Sequence, residues 1–151
     1  MIRLSKKMLF AIEAVLDIAY SAGTLPVQSS EITQRQGIPR RYLEQVLQQF
    51  VRSGILTGTR GPRGGYRLAR ERRRISLGEI VRVIREMEST DDPIDDPAGA
   101  ELGHRVVRPL WQELQAKLMQ QLDEITIEDL CLRAFRAGIA GSFGDRIDFT
   151  I

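Results

Sequence analysis

The stretch from Ile38 to Gly54 reads IPRRYLEQVLQQFVRSG and leads directly, from Ile55 to Leu68, into ILTGTRGPRGGYRL. The first part predicts a helix, because proline is tolerated in a first helical turn and glycine commonly follows a last one. At about 100° per residue, its apolar side chains fall on one face. They are Leu43, Val46, Leu47 and Phe50. The opposite face carries Arg41, Glu44, Gln45 and Gln48.

The polar face of this helix carries side chains that suit the edges of DNA bases. Arginine pairs well with guanine, glutamine pairs with adenine, and glutamate accepts a hydrogen bond from the amino group of cytosine. A solvated surface helix would show the same amphipathic pattern. The interpretation therefore depends on the segment C-terminal to the helix.

The second part predicts a short hairpin with a basic tip. Its turn residues run from Gly61 to Gly65, and arginines stand at positions 60, 63 and 67. A glycine-rich loop can also cradle a nucleotide phosphate, but no Gly-Lys-Ser/Thr comes after this one. A helix with a basic hairpin directly after it is the layout of a winged helix-turn-helix. The arginines at positions 70 and 72–74 form a basic run beside the wing, for which contact with the DNA backbone is favoured over a solvated connector.

Charge is divided unevenly along the 151 residues. Residues 1–75 hold 14 lysines and arginines against 5 acidic residues, whereas residues 76–151 hold 8 against 15. The basic half is expected to attract DNA phosphates and to make binding dependent on salt. The length predicts one domain, or a small domain with a helical arm.

Residues 60–68 resemble the wing of the Rrf-type family of bacterial transcriptional regulators, which includes the iron–sulfur cluster regulator and the nitric-oxide-sensitive repressor. The segment from Ile38 to Leu47 is similar to the family's recognition helix, and the segment from Arg3 to Lys7 resembles its N-terminal start. Pro109 to Trp111 and Leu122 to Leu130 are similar to the dimerisation helix and its end. The resemblance covers most of residues 1–130 and implies a homodimer that binds double-stranded DNA.

Cluster-binding members of that family carry three cysteines in the loop before the position of Trp111. Here the loop from Glu88 to Arg108 has none, and the single cysteine of the chain is Cys131, expected in the core. The resemblance therefore implies DNA binding but no iron–sulfur sensing. We expect no cofactor, and a signal would enter through a small ligand or a partner protein.

The remaining elements are predicted from caps and apolar periodicity. Ser5 can cap a helix that ends near Ala22, and Ser29 or Ser30 can cap a short helix that ends near Arg35. The residues from Ser76 to Glu79 form a capping-box pattern that opens a helix reaching Met87. The wing strands are expected at residues 55–59 and 66–69. The fold class is thus mainly α, with a two-stranded wing and a long C-terminal helix.

The long helix is expected from about Arg105 to Asp123, with a wide apolar stripe at helical spacing. Packing within the chain would explain such a stripe, but we favour dimerisation, because two-fold symmetric proteins commonly bind DNA. The predicted dimerisation residues are Leu110, Trp111, Leu114, Leu118 and Leu122. Thr126 can cap a last short helix.

The chain is therefore divided into a winged helix-turn-helix DNA-binding domain over residues 1–88, an acidic flexible loop over residues 89–104, a dimerisation helix with a short terminal helix over residues 105–137, and a tail over residues 138–151. The aspartates of the loop could be imagined as metal ligands, but they lack the calcium-loop pattern, and a solvated loop is favoured. The role of the tail is not predicted.

No catalytic constellation is found, since His104 is the only histidine and no nucleophile–base set can be assembled. An enzyme is therefore not expected. A winged-helix interaction module that has lost DNA binding remains the alternative. No apolar run approaches the ~20 residues of a membrane span, and no signal peptide is expected. A single cysteine agrees with a reducing cytoplasm. The predicted DNA-binding residues are Lys7, Ser29, Arg40, Arg41, Tyr42, Glu44, Gln45, Gln48, Arg60, Gly61, Arg63 and Gly64.

Overall fold

The computed structural model describes residues 4–23, 25–88 and 91–142. Within them the fold is mainly helical with one antiparallel pair of strands, as predicted. The elements are α1 (Lys6–Ser21), α2 (Ser29–Gln36), α3 (Arg40–Arg52), β1 (Leu56–Thr59), β2 (Gly65–Leu68), α4 (Leu77–Met87), α5 (Arg108–Glu124) and α6 (Ile127–Arg136). Arg3 and residues 143–151 of the predicted tail lie outside the described residues.

The helix ends depend on side-chain caps. The Ser5 hydroxyl accepts a hydrogen bond from the Met8 N–H at 3.1 Å, as predicted for the start of α1. Ser76 and Glu79 form the predicted capping box, each accepting from the other's N–H at 3.1 Å. Such caps satisfy amide groups that the helix itself leaves without a partner.

The predicted cap of α2 was wrong. Gln28 is the capping residue, and its N–H donates to the Glu31 carboxylate at 2.9 Å. Ser29 and Ser30 are the first two residues of the helix itself. The reason is that Glu31 reaches back three residues from inside the helix, which places the cap of α2 one or two residues earlier than predicted.

One apolar core joins α1, α3, α4 and α6. The predicted core face of α3 is confirmed, since Leu43, Val46, Leu47 and Phe50 are all fully buried. Ile127 and Cys131 of α6 belong to the same core, so this short helix packs against the head rather than extending from it. The expectation that Cys131 packs in the core is confirmed.

The approach to α5 differs in detail from the predicted loop. A 3₁₀ turn spans Pro93–Asp95, and a π-helical turn over Gly103–Val107 leads directly into α5. The Arg108 guanidinium donates to the carbonyl oxygens of Asp96 and Ala98 and contacts His104 Nδ1 at 2.8 Å. These contacts hold the loop against the start of the long helix.

Candidate nucleic-acid interface

The outer face of α3 is exposed as the sequence predicted. Arg41, Gln45 and Gln48 are exposed on it, opposite the buried stripe. The Arg40 Nε–H donates to Glu44 Oε1 at 3.0 Å across one turn, on the same exposed side. A pair of this kind is worth only a few tenths of a kcal/mol. Arg40 can therefore exchange this contact for a base or a phosphate, and Glu44 can exchange it for a base amino group, at little cost.

Tyr42 lies apart from that exposed face. It is half-buried, its hydroxyl donates to the Lys7 carbonyl oxygen at 2.6 Å, and its ring centroid lies 6.2 Å from that of Phe10. Burial raises the pKa of Tyr42 to about 12, and the Glu88 carboxylate adds to the shift. The hydroxyl thus stays protonated, and its hydrogen bond joins the start of α1 to α3. Tyr42 is therefore engaged in a contact within its own chain.

This tyrosine brings Lys7 to the recognition helix. The Lys7 ammonium lies 5.9 Å from the Tyr42 ring centroid, and the Lys6 ammonium lies 5.7 Å from that of Phe10. Both lysines are exposed. The structure therefore places the predicted phosphate-binding Lys7 beside the first turn of α3.

The wing is a hairpin in which Thr59 pairs with Gly65 and Leu56 pairs with Leu68. Arg60, Gly61 and Arg63 are exposed at its tip, whereas Gly64 is buried in the turn. A Cβ at Gly64 would lie 2.2 Å from the Thr59 carbonyl oxygen, so only glycine fits this turn. The tip arginines, Arg60 and Arg63, therefore lie beyond Thr59 and Gly65, the last paired residues of the two strands.

A groove of about 750 Å³ separates the wing from the helix-turn-helix. It brings together predicted residues from three elements, namely Ser29, Arg40, Gln48, Arg60, Gly61 and Gly64. Sequence reasoning missed further polar residues that also border the groove, among them Gln28, Ser30 and Arg52. Arg52 was detectable, because it lies one turn after Gln48 on the same helix. Gln28 was not detectable from the sequence, because its position at the groove depends on a contact with a residue far along the chain.

Three arginines of the basic run beside the wing are engaged within the chain. The Arg70 guanidinium donates to the Glu79 carboxylate at 3.1 Å, and Arg73 Nε donates to Glu71 at 2.6 Å. Arg72 Nε lies 3.9 Å from a Glu128 oxygen. The positive charge of these arginines alone would favour contact with DNA phosphates. Their pairing with Glu79 and Glu128 instead supports a structural role that links the wing to α4 and α6.

A buried carboxylate fixes α2 against α1. Asp17 is only 4% exposed and accepts two hydrogen bonds from Arg35, at 2.9 and 2.8 Å. The Gln36 side chain donates a third at 2.9 Å. Hydrogen bonding to Asp17 raises the pKa of Arg35. The helix that precedes the recognition helix is thereby held in one position.

Replacing Asp17 with asparagine should lower the free energy of unfolding by about 1–3 kcal/mol, because a neutral amide cannot accept the same charged hydrogen bonds in a buried place. Urea denaturation monitored by circular dichroism measures the loss. Glu13→Gln, a change on the same helix, is the matched control and should stay within about 0.5 kcal/mol of wild type. Equal stability of the Asp17 and Glu13 variants would show that the Asp17–Arg35 contact does not stabilise the fold.

The apolar stripe of α5 is exposed over most of its length. Leu110, Trp111, Leu114 and Leu118 are between 42% and 54% exposed, whereas Leu122 is partly buried against the core. The C-terminal end of α5 is fastened to α4, where Arg82 donates twice to the Asp123 carboxylate, at 2.6 and 2.7 Å. This pairing raises the pKa of Arg82 and lowers that of Asp123. The stripe is therefore available for contact beyond this chain.

Among the described residues, no group of three His, Cys, Asp or Glu side chains is placed to hold a metal ion. Cys131 is fully buried in the core. In residues 4–23, 25–88 and 91–142, no helix combines the length and the apolar character that spanning a membrane requires.

Comparison with known proteins gives one consistent match. The Rrf2 family model, described as an iron-dependent transcriptional regulator, matches residues 4–133. The HTH-type transcriptional regulator IscR of Klebsiella pneumoniae strain 342 is 32% identical over 134 residues, which cover 85% of this chain and 78% of that protein. IscR of Escherichia coli O1:K1 / APEC is also 32% identical, over 85% of this chain and 79% of that protein.

Solved structures agree with this match. The structure of T. potens IscR has a TM-score of 0.74 and 31% identity, and the alignment covers 91% of this chain and 92% of that one. The structure of CymR, the global cysteine regulator of B. subtilis, has a TM-score of 0.69 and 28% identity, covering 88% of this chain and 98% of the other. The similarity therefore extends beyond the wing and the recognition helix to most of the chain.

Proposed function

Since the chain belongs to the Rrf2 family of transcriptional regulators, we propose that it acts in the cytoplasm as a homodimer that binds a near-palindromic DNA operator. The observation that carries the proposal is the groove between α3 and the wing, with exposed Arg40, Gln48 and Arg60 on its walls. A helix with outward-facing arginine, glutamine and glutamate suits the major groove. Two copies would contact two successive half-sites.

In this proposal the contacts have different tasks. Arg41, Glu44 and Gln45, exposed on α3, contact base edges in the major groove. Arg60 and Arg63 enter the minor groove at the wing, where a narrow groove attracts arginine. Lys7 and Ser29 contact phosphates, which position the protein without selecting sequence.

Titration with mixed-sequence duplex DNA at two salt concentrations tests the proposal. A DNA-binding protein of this charge distribution should bind measurably, and its affinity should fall steeply as salt increases, because bound phosphates release counterions. Binding that is absent at both concentrations would favour the winged-helix interaction module instead. Binding that does not respond to salt would contradict the assigned phosphate contacts.

Gln45 is expected to select one base pair. Gln45→Ala should cost about 1–3 kcal/mol on the preferred sequence and relax the preference at a single position, because glutamine makes a bidentate contact with adenine. Competition with duplexes that differ at one base pair measures this change. Gln49→Ala on the same helix is the control, since Gln49 is partly buried and is not assigned a base contact. A uniform loss over all sequences would mean that Gln45 does not read a base.

An iron–sulfur cluster does not fit this chain, although the family model is described as iron-dependent. Such clusters are held mainly by cysteine thiolates. The chain has one cysteine, which is fully buried in the head, and the loop between Glu88 and Arg108 contains none. We therefore propose that the chain binds DNA without a cluster and that its signal is a small ligand or a partner protein.

Anaerobic purification tests this expectation. The protein should show no visible absorption band of a thiolate-ligated cluster and no stoichiometric iron, and it should bind DNA equally with and without a chelator. Cys131→Ala should bind DNA as wild type does, apart from a small loss of stability. Stoichiometric iron together with a cluster band would overturn the expectation, and the acidic loop and His104 would then be the first places to look for ligands.

A further inference from the structure

We propose that Gln28 is a positioning residue for the wing, and that it sets which base pairs Arg60 and Arg63 contact in the minor groove. The inference deepens the proposed function and rests on it. Its observation is one long-range hydrogen bond, in which the Gln28 side-chain amide donates from Nε2 to the Pro62 carbonyl oxygen at 3.0 Å. This bond joins the start of α2 to the tip of the hairpin, 34 residues further along the chain.

The base of the wing is held by its backbone. The Val27 N–H donates to the Tyr66 carbonyl at 2.9 Å, and the Tyr66 N–H donates to the Val27 carbonyl at 2.7 Å. A Cβ at Gly65 would lie 2.5 Å from the Val27 oxygen, so the two backbones approach as closely as glycine allows. The base of the hairpin is therefore held against Val27, the residue before Gln28.

The tip of the wing is less constrained than its base. Strand pairing ends at Thr59 and Gly65, and the turn closes on itself through the Gly64 N–H, which donates to the Gly61 carbonyl at 2.9 Å. Isolated two-stranded hairpins are only marginally stable. The bond from Gln28 reaches Pro62 from outside the hairpin, between the two arginines assigned to the minor groove. Loss of this bond should widen the range of positions that both arginines can take.

Gln28 is itself well placed to act as an anchor. Its backbone N–H is held by Glu31 at 2.9 Å, and its carbonyl accepts from the Glu31 N–H at 3.1 Å. Its side chain therefore starts from a fixed point at the N-terminus of α2. Ser29, proposed to contact a phosphate, is the next residue. Gln28 thus links the proposed phosphate contact at Ser29 to the wing arginines and fixes the distance between them.

The expected effect is a change in sequence preference, because narrow minor grooves attract arginine only where it is correctly placed. Gln28→Met keeps the length of the side chain and its neutral charge but removes the donor. With duplexes that the wild-type protein selects from a random pool, this variant should lose about three- to tenfold in discrimination at the positions under the wing. Preferences that depend on Gln45 should remain. Gln34→Met, at an exposed position of the same helix, should leave all preferences intact.

A double-mutant cycle separates positioning from direct contact. If Gln28 acts through the wing arginines, the effect of Gln28→Met should largely disappear in an Arg60→Ala, Arg63→Ala background, since coupled residues are not additive. Full additivity would overturn the inference, and so would a uniform loss over all positions or no loss at all.

The free protein gives a test that does not depend on DNA. In ¹⁵N relaxation measurements, the amides of Gly61, Arg63 and Gly64 should become more mobile in Gln28→Met but not in Gln34→Met. Unchanged mobility would overturn the inference while leaving the proposed function in place. Failure of the wild-type protein to bind any duplex, with increased wing mobility in Gln28→Met, would instead reject the proposed function and the DNA role of Gln28 with it.

Discussion

Replacing both Leu114 and Leu118 with glutamate should convert the protein into monomers and weaken binding to a two-half-site operator by ~10²–10⁴-fold, because the second half-site contact is no longer intramolecular. The two leucines are 48% and 42% exposed on the stripe of α5. Charges on this stripe would have to be buried unpaired in a dimer, which is costly. Sedimentation equilibrium measures the oligomeric state, and operator titration measures the affinity.

Gln112→Glu together with Gln120→Glu provides the matched control. Both positions are exposed on the same helix, and at about 100° per residue they lie away from the stripe. This variant should remain dimeric and bind the operator as wild type does. A dimer that persists in the leucine variant would show that the interface lies elsewhere. A monomeric variant with unchanged operator affinity would show that dimerisation is not required for binding.

Gly64→Ala should remove the contribution of the wing and lower DNA affinity by about 10- to 100-fold while the helical core remains folded. The added Cβ would lie 2.2 Å from the Thr59 carbonyl oxygen and 2.9 Å from the Gly61 carbonyl oxygen. Both contacts are with backbone, so the turn itself must change shape, and the tip arginines must move with it. Loss of a few charged phosphate or minor-groove contacts at physiological salt accounts for an effect of this size.

Gly58→Ala is the control for this change. At Gly58 the nearest atom to a new Cβ is a ring carbon of Tyr66 at 3.7 Å, an ordinary contact. Circular dichroism should show intact helices in both variants, and filter binding or fluorescence anisotropy should show a loss only in Gly64→Ala. A Gly64→Ala protein with wild-type affinity would mean that the wing does not contribute to binding.

Features set by local chemistry could be predicted from the sequence. The amphipathic pattern of α3 fixed its buried face because the residues concerned are three and four positions apart. The Ser76–Glu79 capping box and the Ser5 cap likewise involve residues within one turn of each other. The winged helix-turn-helix fold, the family and its regulatory role, all expected from the recognition helix and the wing motif, are confirmed by the match over residues 4–133 and by the T. potens structure.

Features that depend on contacts between distant residues were missed. The Val27–Tyr66 bridge and the Gln28–Pro62 bond join segments more than thirty residues apart, and no local pattern announces them. The cap of α2 fell on Gln28 rather than on a serine because Glu31 supplies the charged oxygen. Periodicity could not place Tyr42 either, since its contact with the Lys7 carbonyl depends on how α1 and α3 pack.

The position of the C-terminal segment also depends on contacts between distant residues, so it could not be predicted from the sequence. Its glycine-rich composition predicted no role, yet the Tyr20 hydroxyl donates to the Ile139 carbonyl, and the Ser142 N–H donates to the Tyr20 carbonyl at 3.0 Å. A Cβ at Gly141 would lie 2.5 Å from the Tyr20 ring. Residues 138–142 thus pack on the end of α1, an arrangement that only the folded head creates.

Selection of bound sequences from a random duplex library by the purified wild-type protein tests the central proposal most directly. A homodimer that places one α3 in each half-site should enrich a near-palindrome whose half-site centres lie ~34 Å apart, or a multiple of that distance. A·T-rich positions should flank the half-sites where the wing arginines enter the minor groove. Enrichment of an unpaired, asymmetric site, or no enrichment at all at low salt, would contradict the proposed homodimer and its operator.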